Sequence, residues 1–170
     1  MSDIACLSKG SYVTFRNELS GIIEDGAWIA GALFDLKPFV SIEDYYTKLC
    51  DFLSQLSVIA QVGIIRCYPQ LISTDKTTLS KESTDEHEMR FKNISTSSTL
   101  TIRELNSQYI EKFQFPFISC VKENSVENIL ELMHARIGNT YQEEVKMNMQ
   151  QIQRIAWYRL VDKFKLEAKL

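Results

Sequence analysis

Apolar residues recur along the first part of the chain at spacings of three and four, the period of a helix with one buried face. The first stripe predicts a helix that begins after a cap at Ser8 and ends near Asp25. Its inward residues are Tyr12, Phe15, Leu19, Ile22 and Ile23. A second stripe, from Trp28 to Leu36, predicts a helix that ends before Pro38, because proline disfavours helical geometry in the residue ahead of it.

Capping signals mark the next two helices. Ser41, with Asp44 three residues later, has the form of a capping box and predicts the start of a third helix. The buried stripe of that helix is Tyr45, Leu49, Phe52, Leu53 and Leu56. A fourth helix is predicted from Val58 to Cys67, where Pro69 stops it.

The middle of the chain is more polar. Ser83 and Glu86 are spaced to cap a further helix reciprocally. The serine- and threonine-rich run over residues 94–99 predicts a loop, and the stripe of Leu105, Tyr109 and Phe113 predicts the helix that follows it. The apolar run FQFPFISCV, residues 113–121, is interrupted by proline, and we expect it to be extended, buried, or both.

Two helices are predicted at the C-terminal end. Ser125 caps the first, and Gly138 is expected to end it in a left-handed conformation. The inward residues of that helix are Val126, Ile129, Leu130, Met133 and Ile137. Thr140 with Glu143 caps the last and longest helix, whose stripe is Val145, Met149, Ile152, Ala156, Leu160 and Phe164. No strand-like alternation persists anywhere, so the pattern predicts an all-α fold of about eight helices.

Composition narrows the class of protein. With 170 residues, of which 45% are hydrophobic, residues 1–170 are long enough for one compact helical bundle and too short for two ordinary domains. A net charge of −3 without any block of Lys or Arg argues against nucleic acid as a partner. No apolar run approaches the roughly 20 residues of a spanning helix, and the start lacks the apolar core of a secretory signal. We expect no membrane partner and a location inside the cell.

The four cysteines are Cys6, Cys50, Cys67 and Cys120. They are widely spaced, no CxxC occurs, and three of them lie in apolar surroundings, which favours reduced and buried thiols. Neither a disulfide framework nor a metal site is predicted.

Segments in three parts of the chain are similar to motifs of one known family. The run at residues 113–121, preceded by LNSQYIEKF at 105–113, resembles an FGFPF motif, and IQRIAWYRLVD at 152–162 resembles that family's final helix, with Arg159 at its arginine. IIRCYPQL at 64–71 and LSKESTDEH at 79–87 are similar to its His-Pro-Asp-Leu and Ser-x-x-Glu-Gln motifs. The family is that of the 2-oxo-4-hydroxy-4-carboxy-5-ureidoimidazoline (OHCU) decarboxylases.

The last two motifs match in part. The positions that agree with the family are Pro69, Leu71, Ser83 and Glu86. Three positions differ: Tyr68 replaces the family's histidine, Gln70 its aspartate and His87 its glutamine.

The resemblance implies an all-α enzyme that decarboxylates OHCU to (S)-allantoin in urate and purine catabolism. In this reaction a carboxylate leaves as carbon dioxide from a carbon next to a ring C=N, so the ring accepts the electrons and no metal or organic cofactor is needed. A proton must then reach one face of the carbanion-like centre, which calls for an acid, a carboxylate to orient it, and donors around the substrate oxygens. The resemblance also implies a ureide substrate and a homodimer.

The site residues are likewise implied by the resemblance. Tyr68 stands at the position of the proton-donating histidine, with Glu86 and His87 as the other catalytic candidates. The substrate-binding candidates are Pro69, Ser83, Thr84, Asp85, Glu86, His87, Phe117, Ile118, Ser119, Cys120, Val121 and Arg159.

Each catalytic candidate also has a purely structural interpretation. A phenol has a pKa near 10, so Tyr68 is some three units too weak an acid at neutral pH, about 4 kcal/mol of driving force. It is then a pocket-wall aromatic beside Pro69, and His87 either supplies the missing acid or is solvated. Glu86 merely caps its helix, and Arg159 merely pairs with a carboxylate on a neighbouring helix. His134 is interpreted as a surface residue.

Two functional hypotheses follow from these alternatives. The first is an active decarboxylase with an altered acid. The second is a catalytically impaired or inactive relative that binds a ureide or a protein partner. A helical interaction module is a third interpretation.

The tripeptide Ala168-Lys169-Leu170 looks like a variant of the peroxisomal SKL signal. We therefore expect a peroxisomal protein, or a cytoplasmic one if that signal is not read.

Overall fold

All regular structure in the described part of the chain is helical. A computed structural model describes residues 3–72 and 81–165, without the side chains of residues 81 and 87–89. The α-helices are α1 (Ile4–Lys9), α2 (Tyr12–Leu19), α3 (Ala27–Leu33), α4 (Ile42–Gln55), α5 (Val58–Cys67), α6 (Lys81–Phe91), α7 (Thr96–Phe113), α8 (Val126–Arg136) and α9 (Tyr141–Phe164). Two 3₁₀ turns, Ser20–Ile22 and Phe34–Leu36, extend α2 and α3. Because no strand occurs within the described ranges, the predicted all-α class is confirmed.

The helices form two compact units. The first contains the chain up to Ser57 and from Gln153 onward, and the second contains Val58–Ile152. The single-domain interpretation of residues 1–170 stays a prediction.

An aromatic cluster forms the core of the first unit. Phe15 stacks on Phe39 with ring centroids 5.7 Å apart, and Phe39 meets the edge of Tyr45 at 5.1 Å. All three side chains are at most 1% exposed. The backbone N–H of Phe39 donates to the hydroxyl of Ser8 over 2.9 Å, which ties α1 to this core.

That bond explains why the predicted start of the first long helix was wrong. Ser8 lies inside the short helix α1, and the cap of α2 is Ser11, whose hydroxyl accepts from the N–H of Thr14 at 3.2 Å. Tyr12, predicted to face inward, is the first residue of α2 and is 45% exposed. Trp28 and Leu36, also predicted inward, are 50% and 44% exposed.

The predicted boundaries of α4 and α5 are confirmed. The hydroxyl of Ser41 caps α4 by accepting from the N–H of Asp44 at 3.1 Å. Tyr45, Leu49 and Leu53 of its stripe are buried, whereas Phe52 and Leu56 are half-buried. Helix α5 spans Val58–Cys67 as predicted.

Three predicted features of the second unit were wrong. Helix α6 begins at Lys81, so Ser83 lies within its first turn and is not its cap. The run predicted as a loop at 94–99 contains the start of α7, because Ser95 caps the helix by accepting from the N–H of Ser98 at 3.0 Å. Gly138 does not have a positive φ; its N–H instead closes a turn on the carbonyl of Ala135 at 3.2 Å.

The caps of the last two helices agree with the prediction. Ser125 accepts from the N–H of Asn128 at 3.2 Å. Thr140 and Glu143 cap α9 reciprocally, with Thr140 N–H donating to the Glu143 carboxylate at 2.8 Å and Glu143 N–H donating to the Thr140 hydroxyl at 3.3 Å. Of the predicted α9 stripe, every residue is buried except Phe164, which is half-buried.

The thiols are less buried than predicted. All four cysteines are free, but Cys6 and Cys67 are exposed, Cys50 is half-buried, and only Cys120 of the four is buried. Over the described ranges, no cluster of three or more His, Cys, Asp or Glu side chains is arranged to hold a metal ion. Considering the same residues, no single helix is long and apolar enough to span a membrane; α4 and α5 reach that length and composition only when taken together.

We predict that Ser41→Ala lowers the free energy of unfolding by about 1 kcal/mol, because the N–H of Asp44 loses its partner at the helix start. Urea denaturation measures this difference. The matched control is Ser107→Ala on the exposed face of α7, where the hydroxyl bonds only the carbonyl one turn back and alanine is the better helix former. An equal loss in both variants would contradict the assigned cap.

Candidate active site

The segment of residues 115–121 forms the centre of the candidate site in the second unit. Its seven side chains are all buried, and the chain is non-helical over this stretch. Gln114 ends α7 in the left-handed region at φ 60° and so turns the chain back. Its carbonyl accepts from Arg66 Nε at 3.1 Å, and the following Pro116 prevents the helix from continuing. Of the prediction that the run at 113–121 is extended, buried, or both, burial is confirmed for residues 115–121, whereas Phe113 still belongs to α7.

One edge of the segment is bonded to α8 and α9. The N–H of Ile118 donates to Asn148 Oδ1 at 3.0 Å, and its carbonyl accepts from Arg136 Nη1 at 2.9 Å. The N–H of Cys120 donates to Gln151 Oε1 at 2.8 Å. Pro116, two residues before Ile118, accepts from Asn148 Nδ2 at 3.4 Å through its carbonyl. Residues 116, 118 and 120 therefore all use the same edge.

The opposite edge lies towards α6. The carbonyl of Val121 accepts from Arg90 Nε at 2.7 Å. Because residues 116, 118 and 120 alternate in their use of the first edge, we infer that the N–H of Ser119 points to this edge, as does that of Val121, which begins the turn at 121–123. None of the hydrogen bonds among the described residues uses either of these two N–H groups, although both residues are 4% exposed. Buried N–H groups are nearly always paired, so two open ones on one edge are suited to receive a ligand oxygen.

Helix α6 brings a carboxylate to this edge. Ser83, Glu86 and Arg90 are spaced by three and four residues and thus share one helix face. Ser83 is 3% exposed and Glu86 is half-buried. Thr84 and Asp85 lie on the same turn and are half-buried and exposed, respectively.

The thiol of Cys120 reports on the charges at this edge. Its pKa is raised to about 11, mainly by burial and then by the negative charges of Glu123 and Glu86. The structure thus brings Glu86 within electrostatic reach of the 117–121 segment. His87 follows Glu86 on α6, but its side chain lies outside the described part of the chain, so its predicted role stays a prediction.

Tyr68 and Pro69 follow the end of α5 in a turn that is anchored on both sides. The N–H of Tyr68 donates to the carbonyl of Ile65 at 3.1 Å. Three residues on, the carbonyl of Leu71 accepts from Asn106 Nδ2 of α7 at 2.8 Å. Tyr68 is 6% exposed and Pro69 is half-buried, and the site roles predicted for both stay predictions.

Arg159 belongs to the first unit and has protein partners there. Its Nη2 lies 2.7 Å from Glu24 Oε1, and its Nη1 donates to the carbonyl of Gly21 at 3.2 Å. Both charged side chains are less than 10% exposed. The expected pairing with a carboxylate is confirmed, but Glu24 lies in the turn before α3 and not on a neighbouring helix; the substrate-binding role stays a prediction. His134, expected at the surface, is exposed.

A buried polar network supports the 117–121 segment, and sequence reasoning missed it. Glu144, 0% exposed, accepts from Arg136 Nη2 at 2.9 Å and from Asn139 Nδ2 at 2.7 Å. The Tyr109 hydroxyl also donates to Glu144, and its pKa is raised by burial first and by this hydrogen bond second. The Arg136 guanidinium in turn lies 4.3 Å from the centre of the Phe117 ring, a cation–π distance.

The spacing of three of the polar residues on α9 could have indicated this network. Glu144, Asn148 and Gln151 follow each other by four and three residues, so they form a polar stripe on α9 directly beside the apolar stripe. Polar residues at the period of a helix are ordinarily taken as a solvated face. Here they are directed to a segment of chain that lies without helical or sheet partners of its own, and its backbone groups need them.

We predict that Glu144→Gln lowers the free energy of unfolding by about 3–5 kcal/mol, because the buried Arg136 charge loses its counter-charge. Chemical denaturation followed by circular dichroism measures the loss. Glu131→Gln, the same substitution at an exposed position of α8, is the matched control and should change stability by less than about 0.5 kcal/mol. Two equally stable variants would show that the ion pair contributes nothing.

The chain is similar to known proteins both in sequence and in structure. Its relative in Xenopus laevis, 2-oxo-4-hydroxy-4-carboxy-5-ureidoimidazoline decarboxylase, is 30% identical over 174 aligned positions that cover 99% of each protein. Two solved structures share the fold. An (S)-allantoin synthase superimposes with a TM-score of 0.77 at 20% identity over 95% of this chain, which spans 54% of that longer one. An OHCU decarboxylase crystallised in the presence of (S)-allantoin gives 0.72 at 18% identity, covering 92% and 99% of the two chains.

The family model described as OHCU decarboxylase matches residues 9–161, which include both edges of the segment, the α6 carboxylate, Tyr68 and Arg159. The chain therefore belongs to the OHCU decarboxylase family.

Proposed function

We propose that this protein is a carboxy-lyase that converts OHCU to (S)-allantoin in urate degradation. The observation that carries the proposal is the family match over residues 9–161. It is supported by a site in which Arg90, spaced to share a face of α6 with Glu86, bonds the carbonyl of Val121, while the negative charge of Glu86 contributes to the raised pKa of the Cys120 thiol.

The reaction requires two things of the protein: hydrogen-bond donors that stabilise the developing negative charge, and an acid that delivers one proton. The bond between the ring carbon and the carboxylate breaks, carbon dioxide leaves, and the electron pair moves into the adjacent ring C=N. One proton then adds to the carbanion-like centre, and its delivery to a single face makes the product (S) rather than racemic. The protein must hold the ring oxygens during charge development and present one acid on one side.

The backbone edge of the segment suits the first of these tasks. The N–H groups of Ser119 and Val121 are two residues apart on an extended chain, which separates them by roughly 7 Å. In the proposal they donate to the ring and ureido oxygens of the substrate. Such donors are fixed by the fold before the substrate arrives, so they lower the barrier without reorganising.

We assign the second task to Tyr68. By the resemblance in sequence it stands at the position of the family's proton-donating histidine, and its phenol is about three units too weak an acid to match imidazole at neutral pH. In the proposal it donates the proton more slowly than a histidine would, with Glu86 as the orienting carboxylate. His87, one residue after Glu86, is the alternative acid.

We expect the protein to produce (S)-allantoin in excess over the racemic background when it is supplied with freshly made OHCU. Chiral chromatography or circular dichroism of the product measures the excess, and buffer alone supplies the spontaneous rate. Glu86→Gln keeps the shape of the side chain and removes its charge, so we expect the excess to disappear in this variant. Racemic product at the buffer rate from the unmodified protein would refute the proposed activity.

We further predict that Tyr68→His raises kcat by about 30-fold, because about half of the 4 kcal/mol in acid strength is expressed in the barrier of a proton transfer. Stopped-flow kinetics with fresh substrate measures the change. The imidazole should also introduce a fall in kcat at high pH, centred near its own pKa of about 6.5.

Two variants control this prediction. Tyr68→Phe keeps the ring and removes the hydroxyl, so it should lose turnover if the phenol is the donor. His87→Ala should leave turnover unchanged in that case. If Tyr68→Phe is fully active and His87→Ala is not, the acid is His87 and the role assigned to Tyr68 is wrong.

The second candidate function is a catalytically impaired or silent relative that binds a ureide or a protein partner. The observation that favours it is the clustering of substitutions around one position, where Tyr68, Gln70 and His87 all depart from the family motifs. Racemic product at the buffer rate together with measurable binding of (S)-allantoin would select it.

Two properties of the family remain proposals for this chain. We propose a homodimer, which analytical ultracentrifugation tests. We also propose a peroxisomal location, indicated by residues 168–170, which lie outside the described part of the structure. A fluorescent fusion with and without those three residues tests it.

A further inference from the structure

A buried polar network lies beneath the 117–121 segment. Its members are at most 3% exposed and join three helices: Tyr109, Arg136, Glu144 and Asn148. Removing two charges from water costs several kcal/mol, and apolar residues of equal volume often stabilise a core as well or better. The contacts that the network makes therefore deserve a functional explanation.

Asn148 forms hydrogen bonds both within the network and to the backbone of the segment. Its Oδ1 accepts from the N–H of Ile118 at 3.0 Å and from Arg136 Nη2 at 2.7 Å. Its Nδ2 donates to the Tyr109 hydroxyl at 3.2 Å and to the carbonyl of Pro116 at 3.4 Å. One amide thus holds two alternate residues of the segment, and Arg136 and Tyr109 hold that amide in a single orientation.

Gln151 repeats the contact one turn further along α9. Its Oε1 accepts from the N–H of Cys120 at 2.8 Å. Residues 116, 118 and 120 are consequently bonded to one helix face at the two-residue period of an extended chain. A slip of the segment by one residue would exchange the two edges and direct the N–H groups of Ser119 and Val121 into α9.

We propose that Asn148 and Gln151, held in place by the Arg136–Glu144 pair, are positioning residues for the decarboxylase reaction. They act through the segment rather than on the substrate, because their bonds set its register and keep its open N–H edge on the α6 side, where Glu86 lies. This inference rests on the proposed function.

Gln151 is the residue to test, because it is half-buried, whereas Asn148 is 0% exposed. Gln151→Leu removes the acceptor for the Cys120 N–H, and Gln151→Glu retains an acceptor oxygen in the same place. The matched control is Gln150→Leu, the same substitution at the neighbouring exposed position of α9.

We expect Gln151→Leu to lower kcat by about tenfold with KM changed less than about twofold, since loosened donors lose more in the transition state than in the ground state. The excess of (S)-allantoin should fall as well, because protonation of the wrong face competes. Gln151→Glu should recover most of both quantities, and Gln150→Leu should match the unmodified protein.

A purely structural role for Gln151 would give a different result. Gln151→Leu would then lower the denaturation midpoint while kcat, KM and the enantiomeric excess of the folded protein stayed at the unmodified values. That outcome would overturn the inference.

A readout without catalysis separates this inference from the proposed function. Titration of ¹⁵N-labelled protein with (S)-allantoin should shift the amide resonances of Ser119 and Val121, and the affinity should fall in Gln151→Leu but not in Gln150→Leu. If the unmodified protein yields only racemic product, the proposed function fails while this titration still decides the positioning role. Equal affinity in both variants would overturn it.

Discussion

The ion pair between Arg136 and Glu144 organises the second unit of this protein. It joins the end of α8 to the start of α9, and its free hydrogen-bonding capacity is consumed by Tyr109, Asn139, Asn148 and the carbonyl of Ile118. A charge pair in such a dry environment is stable only when every lone pair and N–H is used. That requirement explains why a short stretch without helical or sheet partners passes directly over it.

The segment and the network supply each other with hydrogen-bond partners. An extended chain in a helical protein has backbone groups with no ladder to join, and each unpaired buried group costs about 1–3 kcal/mol. The side chains of Arg136, Asn148 and Gln151 take the place of the missing ladder along one edge. On the other edge, Arg90 bonds the carbonyl of Val121, and in the proposed site the remaining N–H groups bind a ligand beside α6.

Much of the fold was predictable from the sequence, because most helices have both a stripe and a cap. The bounds of α5 and the reciprocal cap at Thr140 and Glu143 agree with prediction, since proline and paired caps act locally. The errors arose where several residues offered the same local signal. Ser8 and Ser11 both precede the first stripe, and only the tertiary bond from Phe39 decides that Ser11 is the cap. In the same way, the serine-rich run before α7 has the composition of a loop but supplies a helix start.

The segments that form the candidate site could be predicted from the sequence. The side chains that hold those segments in place could not. The FPF run and the α6 carboxylate were found through family resemblance, whereas Arg136, Glu144, Asn148 and Gln151 read as ordinary polar positions on helices. Their burial depends on contacts between residues 8 to 39 positions apart in the chain and on different helices, which local pattern does not encode.

The open donors of the segment are main-chain groups, and this has a consequence for how the site can change over time. Any residue except proline supplies an N–H, so the side chains at positions 119 and 121 can vary without loss of the donor edge. The geometry of the proposed donor edge is therefore maintained by helix residues on the other side of the segment, Asn148 and Gln151, rather than by the side chains of the segment itself. A substitution in α9 can thus alter this edge although the sequence of the segment is unchanged.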